Sequence, residues 1–337
     1  MKIAFLNISQ GRVNRGAEVY VGELAKRVAK KHKVKVYSSF LSLPPRWPIF
    51  WRLFIDPQGI MIGLFTLSLL YDLWRNKYDV IIPVNGGWQP AFIRIFTWVR
   101  GGKMVISGQS GVGWDDRNNL WCFPDCFISL TKMQENWAHR INPFVRVVTI
   151  PNGVDVQRFS SHKNGYPVEL SRPVVLCVAA LVPSKRIELT IQAVSQMNLA
   201  SLMIIGKGPL KDKIHALGNK LLGNRFFMTD VSHDKMPSIY KSADVFTLAS
   251  ESSESFGIVY IEALASSLPV VATDDQQRRE ILEDAGLYVN PTHIQEYSKA
   301  LEKALQRKDL VKLINQAKKY DWKIIAAKYE ILFEKMT

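Results

Sequence analysis

The sequence predicts an α/β protein built from two successive Rossmann-like domains, each a doubly wound parallel sheet. Three observations carry this: the length, two separate series of short apolar runs alternating with helical periodicity, and a polar, turn-rich break between the series. At 337 residues the chain exceeds one ordinary α/β core and suits two. Hydrophobic residues make up 47% and charged residues 22%, the balance of a chain that buries a sizeable core.

The first series opens with the β-rich run Lys2–Asn7, then an amphipathic stretch Ala17–Lys31 with Tyr20, Leu24 and Val28 four apart, then Val34–Ser38. Further strands are expected at Val80–Val84, Met104–Ser107, Cys126–Leu130 and Val145–Ile150, continuous apolar runs of the kind buried on both faces of a parallel sheet. Periodicity lapses over 151–172, PNGVDVQRFSSHKNGYPVELSR, which reads as a linker after a first domain of 1–150. A second domain, 173–320, restarts with strand Val174–Ala179, helix Ile187–Met197, strand Leu202–Ile205, helix Leu210–Leu221, strand Val245–Leu248, helix Gly257–Ser266 and strand Val270–Ala272. Residues 321–337 form a terminal helical segment.

Three cysteines, an odd count without a second pair for a zinc site, suit a reducing cytoplasm. The start MKIAFLNIS is too short an apolar run for a signal peptide and reads as a strand, so a cytoplasmic location is expected. The charge-free run Pro57–Tyr71 falls short of the roughly 20 apolar residues that span a bilayer. The net charge of +14 is uneven: residues 1–150 hold 20 Lys and Arg against 9 Asp and Glu, and 151–337 hold 24 against 21. Eight of the nine tryptophans share the basic first half. Residues 40–76 and Gly86–Arg100 could therefore dock peripherally on an anionic membrane, the preferred alternative for most of them being core helices. Nucleic-acid binding is the non-enzymatic alternative, but the basic residues form no recognisable motif and no nucleic-acid partner is expected. The six histidines lie at no metal-ligand spacing and read as ordinary surface or core residues, and no Asp-x-Asp occurs, so no metal is expected.

The stretch SESSESFGIVYIEALASSLPVVAT, Ser250–Thr273, sets Glu254 and Glu262 eight apart across a strand–loop–helix junction. Backbone N–H groups of Ser255, Phe256, Gly257 and Ile258 at a helix start can bind an anion or sugar hydroxyls, and nearby carboxylates can accept from hydroxyls. Two such glutamates equally fit the plain role of dipole complements. Gly206-x-Gly208 lacks the third glycine of a dinucleotide fingerprint, which counts against NAD.

The stretch resembles the E-x7-E signature of the family 4 retaining glycosyltransferases, which have the GT-B fold of two Rossmann-like domains facing across a cleft. PNGVDVQRF (Pro151–Phe159), VAALVPSKRIELTIQAV with MIIGKGP (Val178–Pro209), Met236–Ser250 and Arg279–Val289 are also similar to segments of that family. The resemblance implies a nucleotide-sugar donor held by the second domain and a glycan or lipid-linked acceptor met mainly by the first, with no further cofactor. It implies that Glu254 contacts the donor sugar, Glu262 the ribose, and Lys185 the diphosphate, with Gly206, Gly208 and Val231 beside the nucleotide. The family's arginine five positions before that lysine is here Ala180, and Arg186 is expected to compensate. Asn14, Arg15, Gly16, Ala17 and Glu18, after the first strand and opening a helix, resemble the glycine-rich loop near the diphosphate. Gln109 or Ser110 stands where many members carry a histidine, leaving Asp115, Asp116 or the substrate phosphate as proton acceptor, or the Asp pair as a surface turn. The helix around Trp322–Lys335 would cross back to the first domain. The missing arginine and histidine keep open a relative that binds sugar nucleotides without catalysis.

Overall fold

In the computed structural model the described residues are 1–12, 16–41, 43–44, 47, 56–162 and 164–336. Asn14 and Arg15, and part of the 40–76 segment, lie outside them. The chain divides into two units, Met1–Asn152 with Trp322–Thr337, and Gly153–Asp321.

In the first unit the chain runs through β1 (Lys2–Leu6), α1 (Gly16–Val28), β2 (Lys33–Tyr37), α2 (Pro57–Asn76), β3 (Val80–Pro83) and α3 (Trp88–Arg100). It continues through β4 (Lys103–Ser107), α4 (Trp114–Trp121), β5 (Cys126–Ser129), α5 (Lys132–Ile141) and β6 (Val147–Thr149). The strands pair parallel in the order β2-β1-β3-β4-β5-β6. Strands β3 and β5 are buried at every position, as continuous apolar runs between two helical layers must be. One face packs Ile3, Phe5 and Val105 against α1, and the other packs Ala4, Leu6 and Ile106 against α2 and α3.

The second unit runs through α6 (Val156–Ser160), β7 (Val174–Val178), α7 (Ile187–Ser195), β8 (Ser201–Ile205), α8 (Lys211–Leu222), β9 (Phe226–Thr229) and α9 (Met236–Lys241). Then follow β10 (Val245–Leu248), α10 (Ile258–Ala265), β11 (Val270–Thr273), α11 (Gln276–Leu282), β12 (Gly286–Val289), α12 (Ile294–Leu305) and α13 (Leu310–Lys318). Its parallel sheet has the order β12-β11-β10-β7-β8-β9, so the winding direction reverses between β7 and β10. The last helix, α14 (Trp322–Glu334), belongs to the first unit. There Trp322, Ile325, Tyr329 and Phe333 join the α1 face of the core, and Arg27 lies 5.3 Å over the Trp322 ring.

One expectation needs correcting here, and one strand was not anticipated. The Asp115–Asp116 pair sits in the first turn of α4 rather than in a surface turn. Strand β9 does not stand out in the sequence, because all four of its residues are only half-buried at the sheet edge and its apolar run FFM follows a helix directly.

Candidate active site

In a doubly wound sheet, ligands bind beyond the carboxyl ends of the strands where the winding reverses. In the second unit that point lies between the loops following β7 and β10. The β7 loop closes in a short 3-10 turn, Pro183–Lys185, and Arg186 takes a left-handed conformation (φ 46°) just before α7. The β10 loop runs from Ala249 to Gly257, whose φ of 77° starts α10. A Cβ at Gly257 would overlap the Tyr260 ring, so both conformation and space require glycine there. The two loops are joined by the Glu251 N–H, which donates to the Ser184 carbonyl at 2.9 Å.

Here the structure brings together Lys185 and Glu254, whose ammonium and carboxylate form a largely buried ion pair. Ser255, Gly257 and Ile258 lie half-buried beside them. Phe256 differs: its side chain is buried and meets the Tyr320 ring edge-on at 5.8 Å, anchoring the loop from below. The loop after β8 approaches closely, since a Cβ at Gly206 would overlap the Ala179 carbonyl and one at Gly208 the Leu181 carbonyl.

Arg186 corrects the expectation of a second cation facing the diphosphate. Its Nε donates to the Ala249 carbonyl at 2.7 Å and its Nη2 to the Ser250 carbonyl at 3.0 Å, so it clamps the β10 loop. Arg278, not singled out in the sequence, does the same from the other side. Fully buried, it pairs with Asp275 and donates from Nη2 to Ser250 Oγ at 2.6 Å and to the Glu251 carbonyl at 2.7 Å.

Glu262 is on the buried side of α10, only 4% exposed. Its Oε2 accepts from the Tyr240 hydroxyl at 2.9 Å, and His233 Nε2 lies 4.0 Å from Oε1. Burial raises the Glu262 pKa, while the neighbouring His233, the Tyr240 hydrogen bond and Arg158 pull it down. The loop after β9 places His233 4.0 Å from this carboxylate, next to half-buried Val231. Arg158 Nη2 holds the His233 carbonyl at 2.9 Å. Arg158 was legible in part, since it lies within the quoted Pro151–Phe159 motif; nothing in the sequence marks Arg278.

In the first unit Gly16 and Ala17 open α1 at the reversal between β1 and β3. Gln109 exchanges amide hydrogen bonds with Asn152, both at 3.0 Å, and also donates to Ser107 Oγ at 2.9 Å. Ser110 is exposed and Asp115 half-buried. Asp116 is corrected as a proton acceptor, because it is fully buried and accepts from Asn119 at 3.1 Å and Gln134 at 3.2 Å beneath the β4 loop. Burial pushes its carboxyl up to about 8. Among the described residues no cluster of three or more His, Cys, Asp or Glu side chains could hold a metal.

Comparison with known proteins fits this arrangement. Residues 159–320 match the family described as glycosyl transferases group 1. A phosphatidyl-myo-inositol mannosyltransferase of Mycobacterium tuberculosis is 30% identical over 204 residues, 56% of this chain and 53% of that protein, so the chain spans about half the length of the relatives it matches at that level. A GDP-mannose-dependent alpha-(1-6)-phosphatidylinositol monomannoside mannosyltransferase of the same organism is 25% identical over 93% of each chain. The structure is similar to that of Anabaena HepE in complex with UDP and glucose, with a TM-score of 0.75 at 18% identity over 99% of this chain and 100% of that one. It is also similar to sucrose-phosphate synthase of Thermosynechococcus elongatus, with a TM-score of 0.77 at 19% identity over 99% and 98%. Residues 159–320 are therefore a group 1 glycosyltransferase domain, set in a chain with the GT-B fold.

Proposed function

We propose that this chain is a family 4 retaining glycosyltransferase that moves a sugar from a nucleotide-sugar donor to a glycan or lipid-linked acceptor without a divalent metal. The observation that carries the reading is the Lys185–Glu254 pair at the winding reversal of the second unit, joining the turn before α7 to the loop before α10. A departing nucleoside diphosphate gathers negative charge in the transition state, and a fixed ammonium with aligned backbone N–H groups stabilises it. Lys185 takes that role when the diphosphate enters, freeing Glu254 to accept from hydroxyls of the donor sugar. Glu262 binds the ribose, with Tyr240 holding its carboxylate and His233 4.0 Å from it.

The bond from the anomeric carbon to the phosphate oxygen breaks with its electron pair leaving on the diphosphate. The acceptor oxygen attacks from the same face through an oxocarbenium-like centre and passes its proton to the departing phosphate. No protein nucleophile is assigned. A lipid-linked acceptor met peripherally at the membrane is supported by the basic first half of the chain and by the two mycobacterial relatives, whose names specify phosphatidyl-myo-inositol and phosphatidylinositol monomannoside.

The test is incubation with UDP-, GDP- and ADP-sugars, following nucleoside diphosphate release and the anomeric configuration of the product by NMR. One donor class should be consumed with retention. Inverted product would overturn the retaining assignment, and consumption of no donor, even by slow hydrolysis, would leave only a sugar-nucleotide-binding relative.

A further inference from the structure

We propose that α2 and α3 of the first unit form a docking face for an anionic lipid bilayer. The purpose of the face rests on the transferase reading with a lipid-linked acceptor; the face itself rests on its own geometry. On α2, Ile60, Leu64, Leu67, Tyr71 and Trp74 recur at spacings of four and three residues, which puts them along one line of the helix. All five are exposed, Tyr71 by 78% and Leu64 by 61%, while Ile62, Thr66 and Leu73 on the other side are buried. On α3, Ile95, Trp98 and Val99 are exposed as well, Trp98 by 66%. The helices run side by side in the same direction: Gly63 abuts Trp88 and Phe92 near their starts, and Trp74 meets Phe96 edge-on at 6.2 Å near their ends. The core-helix expectation therefore holds for one side of α2 and not for the other. Soluble monomers scatter such residues, and a contiguous apolar face marks an interaction site.

Charge selects the occupant. Arg94 lies 5.0 Å over the Trp98 ring and Arg100 5.0 Å over the Trp74 ring, although Arg94 is also held by Asp125 at 2.6 Å. Each pairing sets a cation beside an interfacial aromatic, which suits the headgroup level of a bilayer. The two helices carry a single acidic residue, Asp72, which is paired with Lys35. A second copy of this face would bring like charges together, whereas anionic lipid complements them. Among the described residues no helix is long and apolar enough to cross a membrane, so the contact lies in the interfacial plane.

Flotation with vesicles of mixed phosphatidylglycerol and phosphatidylcholine, against phosphatidylcholine alone at low salt, tests the face. Wild type should float with the anionic vesicles, and the triple variant Leu64→Ser, Tyr71→Ser, Trp98→Ser should lose at least about tenfold in partitioning with its circular dichroism unchanged, in line with lost apolar burial and lost aromatic anchors. Wild type that does not float, or a triple variant that floats equally well, overturns the proposal. So does a dimer that the triple variant dissolves without any flotation of wild type, which would assign the face to a second copy. Nucleoside diphosphate binding is measured on the same preparations; its absence with flotation intact would count against the transferase reading alone.

Discussion

Glu254 and Glu262 stand eight residues apart in sequence but in different surroundings, one paired with a lysine in a loop, the other buried under a helix against a tyrosine and a histidine. Their variants should fail differently. Loss of uniform ribose binding raises KM for donor with little change in kcat, while loss of a contact that strengthens in the transition state lowers kcat. Glu262→Ala should accordingly weaken donor affinity, and Glu254→Ala should lower kcat by roughly 10²–10³, as removal of one preorganised polar contact does. Glu254→Gln should fall between. Wild-type kcat for Glu254→Ala at saturating donor would return this glutamate to a helix-start acid. His233→Ala should follow Glu262→Ala, raising KM and leaving kcat, because it acts through that carboxylate.

Asp116 gives a pH signature of its own. An unfolded aspartate titrates near about 3.9, and burial raises this one to about 8. The folded state therefore binds the proton more tightly. Its contribution to stability is full below the unfolded value, declines as pH rises, and is lost through about 8. The melting temperature of wild type relative to Asp116→Asn should fall between pH 5 and pH 9. Parallel melting curves across that range would contradict the buried, proton-bearing carboxyl.

At the level of elements, the site is an assembly of loops on rigid strands, and its tightest point is where the β8 loop meets the β7 loop. Gly206→Ala would drive a Cβ into the Ala179 carbonyl at φ 153°. It should destabilise the second unit by about 1–3 kcal/mol, the range for a residue forced into a sparsely populated backbone region, and weaken nucleotide binding. An unchanged unfolding midpoint would show that the two loops are free to separate. The apolar runs that make β7, β8, β10 and β11 were legible because strands buried on both faces admit little else. The edge strand β9 was not, nor were the clamps made by Arg186 and Arg278. The Arg186 guanidinium is held by backbone carbonyls of a loop more than 60 residues away, a partnership that no local sequence pattern marks. His233 escaped for a similar reason, because its partner lies 29 residues away on another element.

For the molecule as a whole, the repeated βα pattern and the motifs of 151–290 located both sheets and the loops around the site, whereas the dual character of α2 did not follow from composition. An apolar line and a buried line on one helix read together as an undivided hydrophobic run. Transfer should survive excess EDTA, since Lys185 and backbone N–H groups supply the positive charge. Complete loss restored by magnesium or manganese would remove metal independence.

The central claim is that the second unit binds a nucleoside diphosphate through Lys185. Isothermal titration of UDP, GDP and ADP into wild type and Lys185→Ala addresses it most directly. One of the three should bind wild type, and the variant should lose at least about tenfold in affinity, the scale of a charge-assisted contact of 1.5–3 kcal/mol. Failure of all three to bind wild type, or equal affinity in the variant, would contradict it.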